Sequence, residues 1–309
     1  MRCLVTGGAG FIGSNLAQRL YKLNYEVTVV DDLSAGESVF IPPKSHFIQE
    51  DFSNPKILKL IKSKAFDIVY HLAAKPRVEF SIDHPAATTY TNVMKTVVLM
   101  EACIGSVKRF VNTSSSSVYG DAALPTTEIT IHNPKSPYAL QKSTTENFCK
   151  MFSELYDLDT VSIRPFNVFG PHQLGSGSYS CAISAWLESI KNDKPCRFDG
   201  DGNQRRDLIY VDNVVDLFVL AGEYHLPMKG SAFNAGSGIS YSNNEILRKL
   251  RHLHPNLKIQ HAPARKNDVK STLASMQRAK LVLGWREKIS LDQGLHLTND
   301  WYMQSPIQQ

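Results

Sequence analysis

Residues 6–13 read Thr-Gly-Gly-Ala-Gly-Phe-Ile-Gly. This stretch follows an apolar run at residues 3–5 and leads into apolar residues at helical spacing, Ile12, Leu16 and Leu20. The expected order is strand, tight turn, helix. Glycines suit such a turn because it needs positive φ and because a side chain would hold the backbone away from a pyrophosphate at the helix N-terminus. The stretch predicts a dinucleotide-binding unit.

Strand-like runs alternate with helical stretches through the first half of the chain. The runs lie at residues 3–5, 26–30, 46–49, 68–72, 110–113 and 160–163. This alternation predicts an α/β fold built on a Rossmann-type, doubly wound parallel sheet. After Phe166 the pattern loosens: residues 175–178 and 199–203 have loop composition, strands are expected at 207–211 and 232–234, and helices at 213–221 and 243–253. We expect a cofactor-binding domain at 1–167 and a smaller, partly interleaved substrate-binding domain at 168–309.

Composition excludes several classes of protein. A chain of 309 residues, 42% hydrophobic and 20% charged, can bury a large core and is not disordered. We expect a soluble, cytoplasmic protein with no membrane contact, because no apolar run approaches the length of a membrane span. The net charge of +5 comes without a basic run, so no nucleic-acid surface is predicted. The five separated cysteines read as reduced core thiols, and no metal site is expected.

Acidic residues after the second and third strand-like runs specify the cofactor. Asp31 follows Gly13 at the distance where a carboxylate accepts both hydrogen bonds of an adenosine ribose. Asp32 adds negative charge, and no Arg or Lys follows within the next few positions to neutralise a 2′-phosphate. The sequence therefore favours NAD over NADP. Asp51 and Phe52 are candidates for the adenine amino group and ring edge.

Tyr138 and Lys142 carry the candidate chemistry. Ser136 and Pro137 are typical of a helix N-cap and first turn, which puts Tyr138 and Lys142 one above the other on the same helix face. A tyrosine hydroxyl has an ordinary pKa of about 10 and acts as a base near neutrality only when cations stabilise its phenolate. Lys142 and a positive nicotinamide ring would supply that charge. The pattern predicts an acid/base beside the cofactor.

These residues resemble those of a known family. The chain is similar, over nearly its whole length, to the extended short-chain dehydrogenases/reductases of the NAD-dependent epimerase/dehydratase group, and most of all to UDP-hexose 4-epimerases. The resemblance rests on residues 6–13, Asp31, Asp51, residues 71–74, 113–120, 138–142 and 164–167, Arg206 with Asp207, and residues 265–268.

The resemblance implies a role for each matched residue. It gives Ser115, Tyr138 and Lys142 as the catalytic residues. The cofactor site it implies comprises Gly7, Gly10, Phe11, Ile12, Gly13, Asp31, Asp32, Asp51, Phe52, Leu72, Ala73, Ala74, Tyr138 and Lys142. The UDP-sugar site it implies comprises Ser115, Ser116, Asn167, Arg206, Arg265, Asp268 and Thr272, with Asn167 and the two arginines on the diphosphate and Asp268 on the uridine ribose. It also implies a homodimer.

Ser116 and Ser117 bear on which reaction of the family is expected. Dehydratases of this family have an Asp-Glu pair at these positions, and the decarboxylases commonly have Glu at the second. Neither serine offers a carboxylic acid for proton transfer, which favours oxidation and reduction at C4 over elimination. The alternatives are a dehydratase, a UDP-glucuronate epimerase, a 4-keto-sugar reductase and a catalytically silent NAD-binding regulator; the intact trio of residues argues against the last.

Thr272 stands where a bulky tyrosine of related 4-epimerases excludes an N-acetyl group from the sugar pocket. Its small side chain predicts that UDP-N-acetylglucosamine and UDP-N-acetylgalactosamine are admitted, with UDP-glucose and UDP-galactose as further substrates. A one-residue error in this register would leave Thr272 an ordinary loop residue.

Overall fold

The computed structural model describes residues 1–175, 181–264 and 269–304. The strands in these ranges are β1 (Arg2–Thr6), β2 (Glu26–Asp31), β3 (His46–Gln49), β4 (Ile68–His71), β5 (Arg109–Thr113), β6 (Thr160–Pro165), β7 (Asn167–Phe169), β8 (Cys196–Asp199), β9 (Arg205–Tyr210), β10 (Ser231–Ala235), β11 (Ser240–Ser242) and β12 (Ile259–Ala262). The helices are α1 (Phe11–Lys22), α2 (Pro55–Lys62), α3 (Val78–Asp83), α4 (Pro85–Thr89), α5 (Lys95–Cys103), α6 (Pro137–Tyr156), α7 (Ala182–Lys191), α8 (Val211–Glu223), α9 (Asn243–Leu253), α10 (Gln277–Leu283) and α11 (Leu291–Gln304).

A parallel sheet in the order β10-β6-β5-β4-β1-β2-β3 forms the centre of the described residues. Along β1 the fully buried side chains alternate between its faces: Cys3 and Val5 pack with α1 and α8, and Leu4 packs with α2 and α5. A parallel sheet is apolar on both faces because its crossover helices cover both. The predicted α/β, doubly wound sheet is confirmed.

The second half of the chain differs from its sequence pattern. It supplies β10 to the edge of the central sheet beside β6, with Phe233 level with Ile163. It also forms a β11-β9-β7 sheet and a β12-β8 pair. The short strands β7, β8, β11 and β12 were not predicted, and Asp199, expected in a loop, ends β8. These strands have three or four residues, too few for a periodic pattern to show.

Among the described residues, no helix is both long enough and apolar enough to cross a membrane. All five cysteines are free, and only Cys181 is not fully buried.

Candidate functional site

A cavity of about 730 Å³ runs along the carboxyl ends of the central strands. Ligands of open α/β sheets bind at this edge, where successive loops diverge. The predicted residues that line it are Gly7, Gly10, Phe11, Ile12, Gly13, Asp31, Asp32, Asp51, Phe52, Leu72, Ala73, Ala74, Ser115, Tyr138 and Lys142. Residues far apart in sequence thus meet around one space.

The N-terminus of α1 faces the cavity. Gly10 is its N-cap and has no side chain to bond the first N–H groups, so these remain available to an anion. Gly7 has φ +69, and a Cβ there would lie 2.6 Å from the Ala73 nitrogen. A Cβ on Gly13 would lie 2.0 Å from the Gly7 carbonyl oxygen, so α1 could not approach the turn this closely. Gly7 alone of the three has positive φ; Gly13 is needed for space.

Asp31, at the end of β2, lies next to the turn that precedes α1. Its Oδ2 accepts from the Ala9 N–H at 3.0 Å, and its Oδ1 accepts from the Leu33 N–H at 2.8 Å. Burial raises the pKa of the carboxyl, and the two backbone donors oppose that rise. These bonds fix the direction of the side chain toward the cavity. Asp32 is exposed, and its Oδ1 accepts from the Ser34 N–H at 2.9 Å.

Asp51 forms an ion pair that its sequence position did not reveal. Its Oδ2 lies 2.5 Å from Lys95 Nζ, and its Oδ1 accepts from the Ser53 N–H and hydroxyl at 2.8 and 2.6 Å. Burial alone would raise the pKa of Asp51, but Lys95 and Ser53 lower it. Phe52 is buried beside this carboxylate, with its ring edge against His71.

The start of α6 fixes Tyr138. The Ser136 hydroxyl caps the helix by accepting from the Ala139 N–H at 3.2 Å, and Pro137 occupies the first turn, as predicted. The Tyr138 N–H donates to the Ser81 hydroxyl of α3 at 3.1 Å. One turn later, Lys142 Nζ donates to the Thr113 carbonyl oxygen at the end of β5, at 2.7 Å. The helix is thereby held against two neighbouring elements.

The two titratable side chains of α6 have shifted pKa values. Burial raises the pKa of Tyr138 to about 12, while the neighbouring Ser115 side chain acts to lower it. Burial lowers the pKa of Lys142 to about 8, and the Glu146 carboxylate opposes this. Lys142 Nζ lies 5.9 Å from the centre of the Tyr138 ring. The side chains alone therefore leave Tyr138 protonated at neutral pH, so a phenolate needs a second positive charge beside it.

Ser115 is the N-cap of a short 3₁₀ turn, Ser116–Tyr119. Its Oγ accepts from the Ser117 N–H at 3.2 Å and from the Ser117 hydroxyl at 2.9 Å. The Ser115 side chain also hydrogen-bonds the Tyr138 hydroxyl, so the two groups lie together at the cavity wall. Ser116 begins the turn but does not line the cavity within the described residues.

Two of the predicted diphosphate and sugar residues, Asn167 and Thr272, contact each other outside the cavity lining, and a third, Arg206, lies on the neighbouring strand β9. Thr272 accepts from the Asp207 N–H at 3.0 Å and contacts Asn167 Oδ1 through its hydroxyl at 3.4 Å. Arg206, on β9 beside Asp207, donates to the Arg205 carbonyl oxygen at 2.9 Å. Arg265 and Asp268 lie outside the described residues. The β7–β9 edge thus gathers Asn167, Arg206 and Thr272.

Several residues of the site escaped sequence reasoning. Asn92 is buried in a π-helical turn, Tyr90–Met94, and its amide bonds both the N–H and the carbonyl of Lys75, at 2.7 and 3.0 Å. It also donates to Gln141 Oε1 at 2.8 Å, between Tyr138 and Lys142. Lys75 Nζ donates to the Ser34 hydroxyl at 2.9 Å, which brings a lysine to the Asp31 loop. The available sequence signal was Asn92, a polar amide inside an otherwise helical stretch. Single π-helical turns within helices frequently occur at functional sites.

The cavity fits a dinucleotide in shape and chemistry. One end has the α1 N-terminus and Asp31, and the other has Tyr138, Ser115 and Lys142. Within the described residues the buried hydroxyl of Thr113, which lines the cavity between these ends, has no hydrogen-bond partner. A buried hydroxyl without a partner is costly unless a ligand satisfies it.

Comparisons with known proteins agree with this geometry. The profile of the NAD dependent epimerase/dehydratase family matches residues 3–236. A UDP-glucose 4-epimerase of Mycolicibacterium smegmatis is 36% identical, with 98% of each chain covered. The crystal structure of a UDP-glucose 4-epimerase of Thermotoga maritima superposes with a TM-score of 0.92 at 33% identity, with 98% of each chain covered. A UDP-N-acetylglucosamine 4-epimerase of Methanobrevibacter ruminantium also gives 0.92, at 31% identity and 98% of each chain.

The prediction of an epimerase-type enzyme with NAD as cofactor is confirmed by this match, which spans three quarters of the sequence and includes the glycine turn, Asp31 and the Tyr138 helix. The chain belongs to the NAD dependent epimerase/dehydratase family.

Proposed function

We propose that the protein is a UDP-hexose 4-epimerase, which inverts C4 of the sugar through a transient 4-keto intermediate. The observation that carries this proposal is the meeting of Ser115, Tyr138 and Lys142 at one end of a cavity whose other end has Asp31 and the N-terminus of α1. A hydroxyl acid/base next to a nicotinamide site is the equipment for reversible oxidation of an alcohol.

The chain supplies the proton transfers and the positioning. The Tyr138 phenolate takes the proton of the 4-hydroxyl, and the Ser115 hydroxyl donates to the same oxygen. Lys142, protonated below its pKa of about 8, keeps positive charge next to Tyr138. NAD, when bound, would supply the second positive charge beside Tyr138 and the hydride acceptor and donor for C4, which lets the hydride return to the opposite face of the ketone. Tyr138 then gives its proton back to O4, so the net change is inversion at C4 alone.

The UDP-sugar diphosphate would be held from the β7–β9 edge. Asn167 and Arg206 are placed there, and Arg265 and Asp268 follow β12 in the sequence. Arginine is suited to a diphosphate because its planar donors bind phosphate bidentately and remain charged. Because the nucleotide is held, the 4-keto ring can rotate in the site while the intermediate stays bound.

Elimination and decarboxylation are the less favoured alternatives. Both need an acid or base beyond Tyr138, and Ser116 and Ser117, the side chains next to Ser115, carry no carboxyl group. A UDP-glucuronate epimerase would use the same trio of residues, so only the sugar distinguishes it. A 4-keto-sugar reductase would consume a reduced cofactor, and a silent regulator would turn over nothing.

The reaction is tested by incubating purified protein separately with UDP-glucose, UDP-N-acetylglucosamine and UDP-glucuronate without added cofactor. The proposal expects the C4 epimer of UDP-glucose or UDP-N-acetylglucosamine, identified by chromatography and NMR. An epimer of UDP-glucuronate alone supports the glucuronate epimerase instead. A 6-deoxy-4-keto product, a pentose product or no product at all contradicts it.

Thr272 is proposed to border the C2 substituent of the sugar. Thr272→Tyr should suppress turnover of UDP-N-acetylglucosamine while sparing UDP-galactose, because overpacking costs about 1–3 kcal/mol. The same change removes the hydroxyl that bonds Asp207 and Asn167. Thr272→Val is therefore the matched control, since it removes the hydroxyl at nearly constant volume. Equal loss for both sugars in both variants would assign Thr272 to the β7–β9 packing instead.

We further propose a cytoplasmic homodimer, formed through one face of α5 and α6. The two helices pack together, and exposed apolar residues recur along them at helical spacing. Val98 lies on α5, Tyr90 and Met94 lie on the π-helical turn that leads into it, and Leu140, Met151 and Leu155 lie on α6. A second copy of the same face is the simplest partner for such a surface.

A further inference from the structure

A carboxylate is buried one helical turn beyond Lys142. Glu146 is only 7% exposed. Arg164, on β6, donates to it through Nε at 2.9 Å and through Nη2 at 2.6 Å, which gives a two-pronged pair between α6 and the sheet. The mechanism above does not use Glu146, although a buried charge requires such partners to be tolerated.

Glu146 also bonds the segment that carries the catalytic serine. The Ser114 hydroxyl donates to its Oε1. Ser114 stands between Thr113, whose carbonyl oxygen accepts from Lys142 at 2.7 Å, and Ser115. The Glu146 carboxylate therefore connects α6 to the segment that follows β5, close to both Ser115 and Lys142.

Arg164 connects this pair to the outer loops. Its Nη1 donates to the Tyr119 hydroxyl at 2.7 Å and to the Glu128 carbonyl oxygen at 3.1 Å. Its Nη2 donates to His132 Nε2 at 2.8 Å, so that nitrogen is the acceptor and the ring is neutral. The Tyr119 hydroxyl in turn donates to Asn234 of β10 at 2.5 Å. The Glu146 carboxylate is held from several directions and has one fixed orientation.

We propose that Glu146 is a positioning residue of the epimerase: its carboxylate fixes Ser115 through Ser114 and its charge keeps Lys142 protonated. The inference rests on the proposed function, because that function gives Ser115 and Lys142 their roles.

The proposed effect of the Glu146 charge on Lys142 follows from the groups around the two side chains. The titratable and charged groups around the pair are Tyr138 and Cys149 on α6, His71 on β4, Arg164 on β6, and Tyr119, Glu128 and His132 in the loops. His71 is buried between the Thr6 and Thr96 hydroxyls and burial lowers its pKa to about 3, so it contributes no charge at neutral pH. Cys149 is buried with a pKa raised to about 12, so it stays a neutral thiol. Glu146 stands one turn of α6 from Lys142, on the same face of the helix, and its negative charge opposes the loss of the Lys142 proton.

The direction in which loss of the Glu146 charge shifts the Lys142 pKa follows from these surroundings. Burial lowers the pKa of Lys142 to about 8, and Glu146 raises it against that trend. Removing the negative charge must lower the Lys142 pKa further, so Lys142 loses its proton at lower pH. Because the mechanism needs protonated Lys142, the alkaline limb of the kcat–pH profile must move to lower pH in the same direction.

The test compares Glu146→Gln with Glu154→Gln, an exposed glutamate on the same helix. The Lys142 side chain is titrated by NMR, with its signal assigned through Lys142→Met, and kcat is measured across pH. Glu146→Gln should lower the Lys142 pKa and shift the alkaline limb of kcat by about one pH unit, the low end for a close opposite charge. Glu154→Gln should change neither. The NMR titration needs no turnover, so it tests Glu146 even if the wild-type protein epimerises none of the UDP-sugars.

Ser114→Ala separates positioning from charge. It keeps the carboxylate and removes only its hold on the serine segment, so we expect kcat to fall about tenfold with KM and the alkaline limb unchanged. An unshifted Lys142 titration in folded Glu146→Gln overturns the charge role. Wild-type kcat in Ser114→Ala overturns the positioning role, and does so even if Glu146→Gln fails to fold.

Discussion

At the scale of single residues, Tyr138 is the proposed acid/base. Tyr138→Phe removes one hydroxyl from a buried side chain whose backbone bond to Ser81 is unaffected. We expect kcat to fall at least about a hundredfold, the low end for loss of a general acid/base, with cofactor content and melting temperature unchanged. Near-normal turnover would contradict the proposed mechanism.

Asp31 is proposed, at the same scale, to select the cofactor. Wild-type protein should retain NAD through dialysis, whereas Asp31→Ala, which removes the acceptor for the ribose hydroxyls, should lose it. Bound nucleotide is measured by absorbance after denaturation. Asp121→Ala, which removes an exposed carboxylate, is the control. Added NADP should not restore a stripped wild-type sample; equal activity with NADP would show that Asp31 and Asp32 do not select against a 2′-phosphate.

At the scale of elements, the turn between β1 and α1 depends on two glycines for different reasons. Gly13→Ala places a Cβ 2.0 Å from the Gly7 carbonyl oxygen, a rigid backbone atom. The free energy of unfolding should fall by at least about 1–3 kcal/mol, measured by urea denaturation. Gly10→Ala is the matched change in the same turn, because its Cβ meets no atom closer than 3.3 Å. It should leave stability nearly unchanged while weakening NAD binding, since only the approach of the pyrophosphate is blocked. Equal stability of the two variants would refute the steric assignment.

At the scale of the whole molecule, the exposed apolar face of α5 and α6 makes self-association testable. Leu155, on α6, is 66% exposed, and Leu281, on α10, is 85% exposed. Light scattering after gel filtration should give a dimer mass for the wild type and for Leu281→Glu, and a monomer mass for Leu155→Glu, because a charge cannot be buried in an apolar interface without a partner. A monomeric wild type, or a dimeric Leu155→Glu, excludes this face as the interface.

The sequence alone determined the sheet class, the turn at residues 6–13, the Ser136 cap and the choice of NAD. Each depends on neighbours within a few residues: a glycine turn, an N-cap, or an acidic side chain at the end of a strand. Family resemblance added Ser115, Asn167, Arg206, Arg265, Asp268 and Thr272, whose roles stay predictions, as does the domain boundary after residue 167.

Contacts between charged or polar side chains that are far apart in the sequence arise only when the chain folds. Lys95 meets Asp51 across 44 residues, Lys75 reaches Ser34 across 41, and Arg164 pairs with Glu146 between a strand and a helix. No local pattern encodes such pairs, because they arise where parallel strands and their crossover helices bring distant segments to one edge. The pKa values of Tyr138 and Lys142 have the same origin: burial against β5 and its neighbours sets them, and burial is a property of the folded chain.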